Sequence, residues 1–367
     1  MLAAHRQALP LEPTDPMIKY LGSKRTLVPL ITDVVTRLPQ VQSAIDLFSG
    51  TSRVGQGLKA AGLQVLANDH NRYAATLARA YVQADREDWL GAAGQLVAEF
   101  NALPSPLPSD HGWFVDTYCV QSRFFQPHAG ARIEQIRQAI AAKSLDPELE
   151  AVLLVALLEA ADRVDSTTGV QMAYLKQWAK RSFNPLVLRV PELLPRAAGG
   201  KGSAHELEAL EAARLLQADV AYLDPPYNQH KYIGNYHIWE TLVRWDQPEV
   251  YGTARKRVDV RDRHSDFNSV KRAQTAFAEV IASLQARFLV VSFSDEGYID
   301  RQAMEQLLQA RGEVLVIERD FKRYVGAQIG IHNPQGQKVG AVSHLRNTEY
   351  LFVVAPDEKD LSKLLDL

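Results

Sequence analysis

Short apolar runs alternate with helical patterns near the start of the chain and return in its last third. The first two runs, residues 43–48 and 63–67, predict strands, and each is followed by a segment with helical spacing of apolar positions. The later runs predict four more strands, over residues 220–224, 288–293, 313–318 and 349–354. Because strands that alternate with helices form parallel sheets, the pattern predicts an α/β fold.

The middle of the chain has helical periodicity and few signs of strands. The segment at residues 103–110 is rich in proline and interrupts the pattern. Helices are predicted downstream, over residues 132–142, 148–164 and 203–217. We therefore expect a mostly helical insertion at residues 91–215 within an α/β domain formed by residues 17–90 and 216–367.

Two further segments have few apolar anchors. Residues 1–16 are broken by Pro10, Pro13 and Pro16, which predicts a flexible tail. Residues 248–272 are rich in charged side chains, and we expect a mobile loop there.

The strand predicted at residues 220–224 ends in the motif Asp224-Pro225-Pro226-Tyr227. The prolines stiffen the loop and lack N–H groups, so the Asp224 carboxylate and the Pro225 carbonyl face a ligand without competing donors. These oxygens can accept hydrogens from an exocyclic amino group while the Tyr227 ring stacks on a heterocycle. Asp and Pro are also common where a strand passes into a turn, but the full motif after an apolar strand favours a functional interpretation.

A second candidate loop, Asp46 to Ser52, lies between the first predicted strand and its helix. Gly50 lets the backbone approach a ligand closely, and the helix offers free N–H groups. The phosphate-binding patterns G-x-G-x-x-G and G-K-[ST] do not occur at this turn, so a nucleotide phosphate is not required. Asp69 ends the second strand, where an acid either accepts hydrogen bonds from ribose hydroxyls or caps the next helix.

The N-terminal segment Ile18 to Arg25 reads Ile-Lys-Tyr-Leu-Gly-Ser-Lys-Arg. Gly22 belongs to a turn that opens a helix, and Tyr20 directly precedes this turn. Lys24 is either a solvated surface charge or, together with Tyr20, part of the cofactor end of the sheet.

Composition limits the classes of protein. The 367 residues are 46% hydrophobic and 23% charged, as in ordinary soluble proteins, and the formal net charge is −2. A nucleic-acid partner therefore requires a local basic surface. The single Cys119 excludes an intramolecular disulfide and a multi-Cys zinc site, and we expect a reduced, buried thiol. Residues 1–16 show no secretory signal and the apolar run 151–158 is too short to span a membrane, so we expect a cytoplasmic protein.

The order of the motifs resembles that of S-adenosylmethionine-dependent DNA adenine-N6 methyltransferases. The motifs are K-Y-L-G-S-K at 19–24, D-L-F-S-G-T-S at 46–52, N-D at 68–69 and D-P-P-Y at 224–227. This is the order of alpha-type members, in which a target-recognition region precedes D-P-P-Y. The segments D-R-V-D-S-T-T-G at 162–169 and L-R-N-T-E-Y-L-F at 345–352 are similar to one bacterial branch. The resemblance covers roughly residues 17–90 and 216–354.

The resemblance implies a Rossmann-like methyltransferase sheet with helices on both faces and an inserted target-recognition region. It implies S-adenosylmethionine as cofactor, bound by Tyr20, Gly22, Lys24, Asp46, Phe48, Gly50, Thr51, Ser52, Asp69 and Asp224. It implies catalysis by Asp224, Pro225, Pro226 and Tyr227. Ser52 stands where the family usually has Gly or Ala, and we expect this small side chain to be compatible with binding.

The implied reaction is direct methyl transfer to N6 of an adenine flipped out of duplex DNA, without a metal. Asp in the first position of the motif favours adenine over cytosine-N4. Three alternatives stay open: a ribosomal RNA adenine-N6 methyltransferase, a DNA cytosine-N4 methyltransferase and a catalytically silent nucleic-acid-binding module. The resemblance also allows a cognate restriction endonuclease as partner and implies association with the nucleoid.

Basic and aromatic residues that could contact DNA concentrate in the insertion, after D-P-P-Y and in the charged loop. They are Lys176, Lys180, Arg181, Lys231, Tyr232, Arg255, Lys256 and Arg257. Each can equally be a solvated surface residue, but a near-neutral protein that grips a polyanion needs a local basic patch. The loop at 248–272 is the best candidate for a segment that orders on DNA.

Overall fold

The computed structural model describes residues 17–22, 24–107, 111–226, 231–322, 331–332, 338–340 and 346–366. The tail predicted at residues 1–16 and the catalytic candidate Tyr227 lie outside the described residues.

The helices lie between residues 28 and 361. They are α1 (Val28–Arg37), α2 (Arg53–Ala60), α3 (Arg72–Ala78), α4 (Arg86–Ala102), α5 (Trp113–Val115), α6 (Pro127–Ala142), α7 (Pro147–Asp162), α8 (Ala209–Leu215), α9 (Tyr232–Asn235), α10 (His237–Arg244), α11 (Ala273–Ser283), α12 (Arg301–Gln309) and α13 (Glu358–Leu361). Short π-helical turns continue α3 over Arg79–Gln83 and α5 over Asp116–Val120.

The strands fall mostly where the apolar runs predict them. They are β1 (Ser43–Asp46), β2 (Gln64–Asn68), β3 (Ser203–His205), β4 (Gln217–Leu223), β5 (Val250–Tyr251), β6 (Lys256–Arg257), β7 (Gln285–Ser294), β8 (Glu313–Lys322), β9 (Ile331–His332), β10 (Lys338–Gly340) and β11 (Arg346–Ala355).

A seven-stranded sheet in the order β3-β2-β1-β4-β7-β11-β8 organises the molecule. Strands β3, β2, β1, β4 and β7 are mutually parallel. Strand β11 is antiparallel to both of its neighbours, β7 and β8. The chain leaves β1 toward β2 on one side, whereas β4 lies on the other side of β1. This reversal of strand order is the place where open α/β sheets bind ligands.

Apolar side chains alternate between the two faces of the sheet. On β4, Val220 and Tyr222 join a core that includes α1 and α2, while Ala221 and Leu223 join the opposite core with α8, α11 and α12. Helices therefore cover both faces, which confirms the predicted Rossmann-like architecture.

A third core holds the helical part together. It is built from α3, α4, α6, α7 and α10, with α7 buried along nearly its whole length from Ala151 to Asp162. A helix that is apolar on all sides lies at the centre of such a layer. Cys119 is buried in this core, which confirms the prediction of a buried thiol. Among the described residues, no helix has both the length and the apolar character needed to cross a bilayer.

The helix predicted at residues 203–217 forms only in part, over Ala209–Leu215. The segment forms β3, which pairs in parallel with β2, and then the shorter helix α8, whose Ala212 packs in a core of the sheet. Strand β3 contains only Ser203–His205 and has no apolar run, so the sequence gives it no strand signal. Residues 203–215 thus pack with the sheet, although the predicted insertion included them.

The expectation of a mobile loop at residues 248–272 is wrong, because the segment is folded. Strands β5 and β6 form an antiparallel hairpin. The Arg257 side chain is buried and donates to both carboxylate oxygens of Asp246, each at 2.7 Å, and to Asp259. Phe267 is buried in a core of the sheet. A few long-range anchors therefore fix a segment of low average hydrophobicity.

A buried charge cluster joins the sheet to the helical layer. Lys59 of α2 donates to Asp85 Oδ1 at 2.8 Å and to the carbonyl of Ala84 at 2.8 Å. Arg196 donates to the other carboxylate oxygen of Asp85 at 2.6 Å. Lys59 and Asp85 are almost inaccessible to water, so each charge depends on its partner for compensation.

We predict that Asp85→Ala lowers the free energy of unfolding by about 3–5 kcal/mol, because it leaves the Lys59 ammonium buried without its carboxylate. Urea denaturation measures this change. Asp88→Ala is the matched control: Asp88 also binds Arg196, at 2.9 Å, but it is partly exposed, so its loss changes stability by less than about 1 kcal/mol. Equal effects of the two variants would contradict a special role for the buried cluster.

Candidate active site

A large cavity opens at the carboxyl ends of β1 and β4. Its volume is about 1050 Å³, which includes space open to solvent. The predicted site residues that line it are Tyr20, Gly22, Lys24, Asp46, Phe48, Gly50, Thr51, Asp69, Asp224 and Pro226. The structure thus brings together motifs that lie far apart in the sequence.

Pairing between β1 and β4 brings together the loops that follow these two strands. Asp46 lies opposite Tyr222 in the parallel register, and the Leu47 amide donates to the carbonyl of Tyr222 at 3.1 Å. Because parallel strands end at the same edge, Asp46 and Asp224 both reach the cavity.

The loop after β1 is held in an unusual backbone conformation. Gly50 has φ +49° and Ser52 has φ +61°, both in the left-handed region. A side chain at Gly50 would meet the Tyr20 hydroxyl at 3.4 Å. Ser52 is buried in this turn and adopts a conformation that costs a non-glycine residue about 1–2 kcal/mol. The loop therefore tolerates Ser52 at this position, and Gly50 keeps its inner surface clear.

Asp69 ties this loop to the end of β2. Its carboxylate accepts from the Gly50 amide at 3.0 Å, from the Asn71 amide at 2.9 Å and from Asn71 Nδ2 at 3.0 Å. Asn71 is the N-cap of α3, so Asp69 itself is not the capping residue. Burial raises the pKa of the Asp69 carboxyl.

Two polar atoms of the cavity wall have unused hydrogen-bonding capacity. Ser49 Oγ and Asn71 Oδ1 are buried and have no hydrogen-bond partner in the part of the chain that the structure describes. Both residues line the cavity beside Asp69. Buried polar atoms normally find a partner, so this wall is suited to a ligand that carries hydroxyl or amino groups.

The Asp224 carboxylate lies beside a nearly buried lysine. Lys24 Nζ is 3.3 Å from Asp224 Oδ1 and 3.2 Å from Glu349 Oε2. Burial raises the pKa of Asp224 to about 6, an effect that Lys24 opposes and Glu349 reinforces. Burial also raises the pKa of Asp46 to about 7 despite a hydrogen bond from the Gly55 amide. Strongly shifted carboxyl groups in a cavity are typical of functional sites.

Three stacked tyrosines lie next to the N-terminal segment, and two of them, Tyr20 and Tyr232, line the cavity. The Tyr20 ring lies between Tyr232, at a centroid distance of 5.3 Å, and Tyr236, at 4.5 Å. The Tyr236 hydroxyl accepts from the Leu21 amide at 2.5 Å. Tyr232, predicted as a DNA contact, thus lines the cavity and stacks on Tyr20.

Residues from the folded segment 248–272 also line the cavity, and they were not among the predicted site residues. Arg263 and Phe267 line the cavity, and the Phe267 ring packs edge-on against Phe48 at a centroid distance of 5.1 Å. Arg263 also binds the buried Glu240 at 3.0 Å. An isolated aromatic residue in a charged segment was the one signal that could have identified Phe267 as an anchor.

The other predicted DNA contacts lie on separate segments. Lys176 and Lys180 are exposed on the chain that follows α7. Arg181 is engaged with Asp165, and Lys231 Nζ contacts His264 Nδ1 at 3.1 Å. The hairpin holds the remaining three, Arg255, Lys256 and Arg257, of which the last is buried in its ion pairs.

Arg257 therefore has a structural role in the fold and little access to a DNA phosphate. Arg255 has φ +49°, in the left-handed region, and both Arg255 and Lys256 are only partly exposed. Within the described ranges, no group of three or more His, Cys, Asp or Glu residues has the arrangement of a metal site.

Comparison with known proteins agrees with this geometry. Type II methyltransferase M.FokI of Planomicrobium okeanokoites is 29% identical over 320 residues, in an alignment that covers 80% of this chain and 47% of that protein. Type II methyltransferase M.NlaIII of Neisseria lactamica is 27% identical over 319 residues, 84% of this chain and 92% of that protein. Modification methylase StsI of Streptococcus sanguinis is 27% identical over 304 residues, 80% of this chain and 46% of that protein.

The chain thus spans about half the length of two of these relatives and nearly all of the third. The family model described as D12 class N6 adenine-specific DNA methyltransferase matches residues 20–306. This match includes both loops of the cavity and the whole helical layer, and it covers most of the chain. The protein therefore belongs to the D12 class of N6 adenine-specific DNA methyltransferases.

Proposed function

We propose that this chain transfers a methyl group from S-adenosylmethionine to N6 of an adenine flipped out of duplex DNA at a specific sequence. The proposal rests on the position of Asp224, which lines the same cavity as the Gly50 loop and Asp69. The names of the similar proteins, which are type II methyltransferases or modification methylases, support site-specific DNA as the substrate. A cognate restriction endonuclease is the corresponding partner.

The cavity has the donor and acceptor groups that such a cofactor requires. Asp69 and the unpartnered Asn71 Oδ1 are acceptors for ribose hydroxyls. Phe48 and Phe267 offer an apolar surface to the cofactor's purine. When bound, S-adenosylmethionine supplies an electrophilic methyl group on a sulfonium.

We assign Asp224 as the acceptor that orients the target amino group. Its carboxylate accepts one N6 hydrogen and the Pro225 carbonyl accepts the other, which directs the nitrogen lone pair toward the methyl group. Tyr227 is proposed to stack on the base, where stacking of about 1–3 kcal/mol offsets part of the unstacking energy. The N6 nitrogen bonds to the methyl carbon as the sulfur–methyl bond breaks, with that electron pair left on a neutral thioether, and N6 then loses a proton, for which the nearby carboxylate is the first acceptor.

We propose that the segment after α7 contacts DNA as part of the target-recognition region. The Gln171 amide donates to the Asn235 carbonyl at 2.7 Å, and His237 Nε2 contacts the Gln171 carbonyl at 3.0 Å. These contacts hold the segment beside α9, which follows the D-P-P-Y loop. Arg123 stacks over Trp178 at 4.6 Å and further fixes it. The exposed Lys176 and Lys180 lie on this segment.

We predict that Asp224→Asn lowers methyl transfer by about 10²–10³-fold, since an amide is a weaker acceptor than a carboxylate. Transfer of labelled methyl from S-adenosylmethionine to duplex DNA, with N6-methyladenine identified after digestion, measures this loss. Asp33→Asn, at a half-exposed carboxylate that binds Arg37 in α1, is the control and should keep wild-type turnover. Preferred methylation of ribosomal RNA over duplex DNA would instead support the RNA alternative, and cytosine-N4 or no methylation would support the other two.

In the same assay, the rate of methyl transfer should decrease at acidic pH. The pKa of Asp224 is raised to about 6, so its carboxylate becomes protonated and stops accepting the N6 hydrogen as pH falls through about 6. The wild-type rate should therefore decline below this pH and be restored above it. The residual activity of Asp224→Asn should not show this decrease. A wild-type rate that stays constant between pH 8 and pH 5 would contradict the assignment.

We predict that the double variant Lys176→Ala/Lys180→Ala weakens DNA binding and reduces the salt dependence of the association constant. Each lost phosphate contact removes about 0.9 from the slope of log K against log salt, so two contacts remove about 2. Fluorescence anisotropy with labelled duplex at several salt concentrations measures the slope. The charge-matched control Lys143→Ala/Lys363→Ala alters the lysine that directly follows α6 and one that follows α13. An unchanged slope in the first variant would refute this DNA surface.

A further inference from the structure

Lys24 is shared between two carboxylates that come from distant parts of the chain. Its Nζ lies 3.3 Å from Asp224 Oδ1 and 3.2 Å from Glu349 Oε2, and its side chain is only 8% exposed. Asp224 follows β4 and Glu349 is in β11, with β7 between these two strands in the sheet. Glu349 thus reaches the catalytic loop from two strands away and meets it through the lysine.

The arrangement is sensitive to each of its members. Without Lys24, two carboxylates would face each other in a poorly solvated place, and one of them would tend to protonate. Without Glu349, the ammonium would have Asp224 as its remaining partner in this group and would be drawn onto it. A lysine centred on Asp224 would then compete with a substrate amino group for the same carboxylate.

On the basis of the proposed function, we propose that Glu349 is a positioning residue for methyl transfer that acts on Asp224 through Lys24. It restrains the ammonium, so that Lys24 keeps Asp224 in place and ionised while the cavity side of the carboxylate stays open to the N6 amino group. Asp224 lines the cavity and retains 20% exposure of its side chain, which is consistent with an accessible acceptor edge.

Other ionisable groups near Asp224 define the background for a pH test. Asp46 at the end of β1 and the Tyr222 hydroxyl on β4 both interact electrostatically with Asp224. Burial raises the pKa of Asp224, Lys24 lowers it and Glu349 raises it. Removal of Lys24 and removal of the Glu349 charge should therefore move the pKa of Asp224 in opposite directions.

A double-mutant cycle tests the proposal with Lys24→Met, Glu349→Gln and the combined variant. We expect kcat to fall roughly 100-fold in Lys24→Met and roughly tenfold in Glu349→Gln, with the KM for DNA nearly unchanged in the second. Because Glu349 acts through Lys24, the combined variant should be no slower than Lys24→Met alone. Lys24→Arg should recover part of the loss. Glu318→Gln, on the neighbouring strand β8, is the control and should leave kcat unchanged.

A carboxyl titration gives a second measurement that does not depend on turnover. The Asp224 resonance of [13C]aspartate-labelled protein is identified by its absence in Asp224→Asn. Its pKa should rise in Lys24→Met and fall in Glu349→Gln. The fall caused by Glu349→Gln should be larger when Lys24 is present than in the Lys24→Met background, since only then can the ammonium move toward Asp224.

These outcomes separate the inference from the proposed function. Multiplicative losses in kcat, or equal pKa changes in both backgrounds, would overturn the role of Glu349 even if adenine is methylated. A wild-type protein that methylates no adenine would refute the proposed function, and the titration would still decide whether Glu349 and Asp224 are coupled through Lys24. If Glu349→Gln folds poorly by circular dichroism, Glu349→Asp replaces it, with a smaller loss expected in the same direction.

Discussion

The hydrogen-bonded pairing of β1 with β4 is the constraint on which the candidate site depends. Two loops separated by almost half of the chain meet because these neighbouring parallel strands end at one edge. The pairing puts Asp46 and Asp224 into one cavity and raises the pKa of each carboxyl through burial. Everything else around the cavity, including the tyrosine stack and Phe267, closes a space that this strand pair defines.

Burying these acids requires compensating contacts, and each comes from a different element. Asp46 accepts from the first turn of α2, Asp69 accepts from the Gly50 loop, and Asp224 is paired with Lys24. Asp85 is buried in the same manner between Lys59 and Arg196, but away from the cavity. Its pKa is lowered because those two partners outweigh its burial. The two carboxyl groups thus differ in balance: two cationic partners outweigh burial at Asp85, whereas burial outweighs Lys24 at Asp224.

Much of the fold and site could be predicted because the informative residues follow apolar strands directly. Strand ends at Asp46, Asp69 and Asp224 mark the cavity in any parallel sheet, whatever the details of packing. Glu349 and Phe267 could not be placed in this way, since their roles arise from strand β11 entering the sheet and from a charged segment folding over the cavity. For the same reason, Arg257 looked like a DNA contact: its sequence neighbours are charged, while its partner Asp246 precedes the hairpin.

The late position of β11 in the sequence has a consequence for biosynthesis. This strand inserts between β7 and β8, both of which are made earlier, and it pairs with each along most of its length. Until it emerges from the ribosome, those two strands have unsatisfied edges, which favour association with other chains. The buried Lys24 meanwhile lacks one of its two carboxylates. The growing polypeptide therefore brings both carboxylates to Lys24 only when β11 has been translated.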